Sequence, residues 1–174
     1  LNKFKSKTIS PAEIDAEMSG KLKTKGVFKD LQCTVDGFTF VFGVGGIHGS
    51  IESQIVYSDD DNQIEDADVT SFYPRTAIVN GMYPAHLGPA YCPIYNSIFD
   101  TRASYPKGTP ENAALKEALN ASYGNSNNAF SPLFDPQYTM QTTINGQLML
   151  CMLAEQLIKI PGLPMIQGNT DGLT

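Results

Sequence analysis

Two carboxylates far apart in this sequence each close a segment that reads as extended, and most of the chain between them reads as helix. The first segment, Ile64 to Phe72, is predicted as a strand that delivers Asp68; the second begins at Met165 to Gln167 and leads into Asn169-Thr170-Asp171. Between them a helix runs from Pro110 to Tyr123-Gly124. A longer one is expected from about Gln137 to Lys159, with apolar positions 140, 144, 148, 151 and 157–158 as its buried face. Upstream, the β-branched and aromatic run Phe38 to Phe42 is another strand, and it enters a glycine-rich stretch, Gly43 to Gly49, that permits close backbone approach. Strands, then two helices, then a strand imply an α+β fold whose sheet carries helices on one face. If the two carboxylate-bearing strands are neighbours in that sheet, Asp68 and Asp171 meet.

The remaining segments are connective. Ser10-Pro11-Ala12-Glu13 has a capping Ser, Pro at the first helical position and Glu three residues after the cap, so a helix is expected to about Met18, followed by a basic connector, Lys21 to Lys29. Ser58-Asp59-Asp60-Asp61-Asn62 lacks the glycine and terminal glutamate of a calcium loop and reads as a solvated turn. Residues 80–110 are rich in Pro, Gly and Tyr and offer one short helix, near Asn96 to Ser104.

A length of 174 residues suits one core. No apolar run is long enough for a bilayer, since Glu155 and Gln156 interrupt the stretch that begins with Leu148 to Leu153, and Leu1 to Lys5 lacks a signal-peptide apolar region. The start without Met suggests an excised piece of a longer chain. Cys33, Cys92 and Cys151 form neither a zinc spacing nor a disulfide framework, which points to a reducing, cytoplasmic home. The net charge of −6 argues against tight autonomous grip on nucleic acid. The charge is uneven: residues 1–30 hold seven lysines against four acids, and residues 31–174 five basic residues against fourteen acids. An acidic region of this kind suits carboxylates gathered around divalent metals.

The residues permit nucleotidyl transfer. That reaction needs a more acidic 3′-hydroxyl and a stabilised pentavalent phosphorus, and two metal ions roughly 3.5–4 Å apart supply both when carboxylates hold them. Asp68 and Asp171 are the candidate pair, and Asp66 lies on the same strand face as Asp68. Lys116, Asn120 and Tyr123, at i, i+4 and i+7, share one helix face and offer an ammonium for phosphate, an amide and a ring for a base. Arg102 and Lys107 lie on the preceding segment, where they could add to the triphosphate grip.

Over roughly residues 38–174 the chain resembles the palm and fingers of a family B DNA polymerase, most like those of bacteriophages and related mobile elements. The family's Asp-x-x-Ser-Leu-Tyr-Pro motif stands here as Asp68-Val69-Thr70-Ser71-Phe72-Tyr73-Pro74, with Phe72 for Leu. Its Lys-x-x-x-Asn-Ser-x-Tyr-Gly motif matches Lys116, Asn120, Tyr123 and Gly124, with Ala121 for Ser. Its Asp-Thr-Asp-Ser is Asn169-Thr170-Asp171-Gly172, which keeps the metal-binding second carboxylate. Thr143-Ile144-Asn145-Gly146-Gln147 is similar to a Thr-x-x-Gly-Arg primer–template motif, and Gly45-Gly46 to a template-contacting glycine pair. The His-Asp-Glu signature and Arg-rich fingers helix of family A are missing.

The resemblance implies an antiparallel palm sheet with helices on one face and a compact fingers helical segment. Residues 1–37 would be an N-terminal helix and connector, 38–79 the first part of the palm, 80–124 the fingers and 125–174 the second part of the palm. Asp68 and Asp171 would bind two Mg²⁺ ions, which Mn²⁺ can replace, with the Val69 carbonyl as a further ligand. The Ser71 and Phe72 amides and Lys116 would hold the triphosphate of a dNTP, the Tyr73 ring would exclude a ribose 2′-hydroxyl, and Asn120 and Tyr123 would floor the nascent pair. Gly45, Gly46, Gly124, Thr143, Gly146 and Gln147 would meet primer–template DNA. Exonuclease and thumb domains are the implied partners in a longer chain, and no membrane is implied. The competing readings are a non-catalytic nucleic-acid-binding α+β module, with Phe38, Phe40 and Phe42 as a stacking stripe, and a catalytically dead palm remnant. Thr174 follows Asp171 so closely that the return strand bracing Asp171 is expected to be missing, and the isolated chain to be inactive.

Overall fold

A computed structural model of the chain describes residues 30–174 together with Ala12, which is helical. Ala12 apart, the helix expected near the N-terminus and the basic connector lie outside the described residues.

The described chain is α+β, with six strands in one antiparallel sheet and four α-helices. Strands β1 (Gln32–Val35) and β2 (Phe38–Phe42) form a hairpin whose register closes at Val35 and Phe38. Its turn residues, Asp36 and Gly37, both have positive φ (49° and 85°), the condition for a primed turn that follows the strands' right-handed twist. This Asp-Gly pair is the sequence signal for β1, a strand not among those expected. Residues 43–46 connect β2 to β3 (Ile47–Ser50), and a long irregular stretch leads to β4 (Ala67–Asp68) at the far edge. The helices α1 (Phe72–Val79), α2 (Tyr91–Ala103), α3 (Pro110–Gly124) and α4 (Pro136–Leu157) follow, then β5 (Gln167–Asn169) and β6 (Gly172–Leu173). The sheet order is β1-β2-β3-β5-β6-β4.

Local chemistry explains the long helices. Thr109 caps α3 by accepting from the Asn112 amide (3.3 Å), and Asp135 caps α4 by accepting from the Tyr138 amide (3.0 Å). Each is followed by proline in the first turn, where a missing N–H costs nothing. Caps of this kind stabilise by about 1 kcal/mol each. Phe38, Phe40, Ile47 and Leu173 of the sheet pack with Phe72, Leu150 and Ala154, so α1 and α4 cover one sheet face. On β2 the intervening Val41 stays exposed. A second cluster, Ala77, Met82, Tyr95, Leu119 and Tyr138, ties the helices together. No helix among the described residues is long and apolar enough to cross a membrane.

Four expectations need correction. The strand expected over Ile64 to Phe72 is only Ala67–Asp68, because Ser71 adopts a left-handed conformation (φ 52°, ψ 53°) and turns the chain straight into α1. The helix expected near Asn96 starts at Tyr91. The return strand after Asp171 is present. β6 needs only two residues because it lies between β5 and β4, paired to both, while Leu173 is buried in the core. Finally, the buried line of α4 follows its apolar stripe only in part: Met140 is buried and Cys151 and Leu157 pack against the core, but the middle of the stripe does not face inward. Thr143, Gly146, Gln147, Leu150 and Ala154 face inward, and Ile144 and Leu148 are exposed. Small and polar side chains win those positions because α1 and the β2–β3 loop approach α4 closely.

Candidate active site

Asp68 ends β4, and Asp171 occupies the turn between β5 and β6. The two meet because β6 is shared: Asp68 lies opposite Gly172, and the Val69 amide donates to the Asp171 carbonyl oxygen at 2.9 Å. A side chain on Gly172 would overlap Oδ1 of Asp68 and stand 3.0 Å from the Ala67 carbonyl oxygen. The Asp68 carboxylate thus lies over the residue next to Asp171. Both aspartates line a cleft of ≈ 750 Å³, with Val69, Ser71, Phe72 and Tyr73 along the same wall. Asp66 does not line it; its Oδ1 accepts from the Thr174 hydroxyl (2.8 Å).

The opposite wall comes from α2, α3 and the turn between them. Lys116, Asn120 and Tyr123 all reach the cleft from one face of α3, and Arg102 and Lys107 enter from the α2–α3 turn. The described residues 30–174 contain five basic residues, and three of them stand in this cleft. The other two are engaged elsewhere: Arg75 lies 4.7 Å above the Phe99 ring, and Lys159 pairs with Glu155 (3.7 Å), the sole ion pair among the described residues. Arg102 donates to the Ser71 hydroxyl at 2.5 Å, which ties the end of α2 to the start of α1.

Asn112 holds that wall together, and no sequence signal marked it. Buried at 8% exposure, it donates through Nδ2 to the carbonyls of Arg102 (3.2 Å) and Tyr105 (2.8 Å), and its Oδ1 accepts from Arg102 Nε (3.4 Å). The turn carrying Arg102 and Lys107 is therefore pinned to the first turn of α3.

Two rings close one end of the cleft. Tyr73 and Tyr123 stack with centroids 4.2 Å apart and planes 19° from parallel. The Tyr123 hydroxyl is hydrogen-bonded to the Thr143 hydroxyl (2.6 Å), and the Tyr73 hydroxyl donates to the Gly45 carbonyl. Burial pushes both phenols up from their ordinary values. At Tyr73 the neighbouring Tyr123 and the negative charge of Asp171 add to the rise.

The six residues expected at a DNA surface divide. Gly45 and Gly124 are exposed. Gly46 is buried, and Thr143, Gly146 and Gln147 face inward from α4. Thr143 holds Tyr123; a Cβ on Gly146 would come 2.8 Å from the Phe72 ring; and Gln147 Nε2 donates to the Gly43 carbonyl at 2.8 Å. As placed, these four prop the cleft from behind and present no contact surface.

Among the described residues no group of three or more His, Cys, Asp or Glu side chains is arranged to hold a metal ion. A separate hollow of ≈ 570 Å³ is walled by Asn80, Asp135 and Asn145, whose polar groups already bond within the fold. No protein-family model, curated protein or solved structure matches this chain.

Proposed function

We propose that this chain is the palm and compact fingers of a DNA-directed DNA polymerase of the family B type, of the kind bacteriophages and mobile elements carry, working in the cytoplasm. The observation that carries the reading is the distribution of charge: residues 31–174 hold five basic residues against fourteen acids, and three of those five share one cleft with Asp68 and Asp171. Carboxylates and cations lining one cleft, with a pair of stacked rings beside them, suit a metal-bound nucleoside triphosphate.

The donor set fits magnesium. The carboxylates of Asp68 and Asp171 and the Val69 carbonyl are hard oxygens, and Mg²⁺ takes one or two protein carboxylates, completing its shell from phosphates and water. When bound, a pair of such ions supplies acidification of the primer 3′-hydroxyl and charge stabilisation at phosphorus. The chain's own residues bind and orient. Lys116, Arg102 and Lys107 draw in the triphosphate, and the first-turn amides of α1, which have no intrahelical acceptor, add donors at Ser71 and Phe72. Tyr73 lies under the sugar, and Asn120 with Tyr123 floors the nascent pair. Primer–template is held mainly by exonuclease and thumb domains of a longer polypeptide, because the acidic balance here gives little hold on DNA.

The nucleic-acid-binding-module alternative draws no support from the aromatic stripe. Phe38 and Phe40 are 4% and 7% exposed and packed against α4, so they offer no stacking surface. The reading is tested by Mg²⁺-dependent dNTP binding to the chain, followed by calorimetry, and by primer extension in the polymerase that contains it. Asp68→Ala and Asp171→Ala should each abolish incorporation and spare primer–template binding. Wild-type incorporation by either variant would refute the proposal.

A further inference from the structure

We propose that Gln147, acting through the glycine loop of residues 43–46, is a positioning residue that fixes the Tyr73 ring and thereby sets the choice of deoxyribose over ribose. This rests on the polymerase reading. The path is continuous. Gln147, 4% exposed, donates its side-chain amide to the Gly43 carbonyl (2.8 Å). The Gly43 amide donates to the Gly46 carbonyl (2.9 Å), which closes the loop on itself. The next carbonyl back along the loop, that of Gly45, accepts the Tyr73 hydroxyl.

The loop has no slack on its other side. Gly46 has φ 151°, and a Cβ there would lie 2.8 Å from Thr170 Cγ2 and 3.1 Å from the Tyr73 hydroxyl oxygen. It is wedged between the turn that carries Asp171 and the ring that would read the sugar. The opposite face of that ring is set by the stack on Tyr123, whose hydroxyl is held by Thr143. Thr143 and Gln147 are i and i+4 on α4, so one face of one helix fixes both rings, one through a hydroxyl and the other through the loop.

Rejecting a single extra hydroxyl requires the excluding ring to be held within about 0.5 Å. Tyr73 sits in the first turn of an eight-residue helix, and its backbone alone does not fix the far end of its ring. A buried amide with a single backbone acceptor does, because leaving that carbonyl unpaired is costly. Packing alone would require only an apolar side chain of similar length at this position. The amide is what distinguishes a latch from filler.

Gln147→Met keeps the length and removes the donor. In the polymerase containing this chain, it should lower the preference for dNTP over rNTP, measured as the ratio of kcat/KM values, by about tenfold. Tyr73→Phe removes only the ring's donor. It should relax selectivity by a similar factor, and the double variant should go no further, since both break one path. Additive effects of the two, or equal losses of dNTP and rNTP incorporation, would overturn the proposal. A second readout needs no turnover: 3-fluorotyrosine at position 73 of the 174-residue chain, followed by fluorine NMR. Its signal should move in Gln147→Met and stay put in Gln156→Met, an exposed control on the same helix. An unmoved signal in folded Gln147→Met sinks the latch whatever the activity. A wild-type polymerase that incorporates no nucleotide refutes the function instead, and the fluorine signal separates the two failures.

Discussion

Asn112→Ala removes the buried side chain that pins the cationic wall, and its cost follows from what it leaves behind. Two carbonyls, those of Arg102 and Tyr105, lose their donor, and the Arg102 guanidinium loses an acceptor. Orphaning a buried hydrogen-bonding group costs about 1–3 kcal/mol. Here Tyr105 is 39% exposed and Arg102 half-buried, so water re-satisfies part of the loss, and the total comes to about 2 kcal/mol. In a chain of this length each kcal/mol lowers Tm by about 2–4 °C, so Asn112→Ala should melt about 4–8 °C below wild type by circular dichroism. Asn120→Ala, exposed on the same helix, is the control and should stay within about 2 °C. The released turn should also raise the apparent KM for dNTP several-fold, because Arg102 and Lys107 no longer start in place. A Tm for Asn112→Ala within the control's range would refute the claim that this residue pins the turn.

Other perturbations separate the roles of individual groups. Lys116→Ala should raise the KM for dNTP about tenfold and change kcat less, since a phosphate contact made in both ground and transition states is lost; steady-state dNTP titration reads this. Tyr73→Val should raise ribonucleotide incorporation by at least about tenfold, or ~1.4 kcal/mol of discrimination, measured by competition between rNTP and dNTP. Burial pushes the Cys151 thiol up from 9.0 to about 11, so its contribution to stability is complete below pH 9 and is lost as pH rises towards 11. Burial raises the Tyr95 and Tyr138 phenols in the same direction and deepens the fall above pH 10. Tm should therefore drop between pH 9 and 11, and less steeply in Cys151→Ala.

The legible parts of this chain were local. Helix α3 announces itself through Pro110 and the spacing of Lys116, Asn120 and Tyr123, and the strand of Phe38 to Phe42 through its composition. Helix α1 did not, because Phe72, Tyr73, Ile78 and Val79 are β-formers, and only the left-handed Ser71 together with packing against Gly146 makes them helical. The inward face of α4 was misread in part, for a related reason. Burial there is set by how closely α1 and the glycine loop approach, and apolar periodicity carries no record of that approach. Strand β6 is two residues long and owes its place to partners on both sides. Neither the Gln147–Gly43 bond nor the pin at Asn112 has a short-range signature, so the support of the site stayed hidden while its front was readable.

In the proposed polymerase Asp68 and Asp171 jointly hold the metal of a bound nucleotide. Paramagnetic broadening by Mn²⁺ in the presence of a dNTP tests it directly, residue by residue. Amide signals of residues 68–73 and 170–172 should broaden first, signals of β1 should not, and Asp68→Ala should abolish the effect. Broadening centred on the acidic turn at Asp59 to Asp61, unchanged in Asp68→Ala, would contradict it.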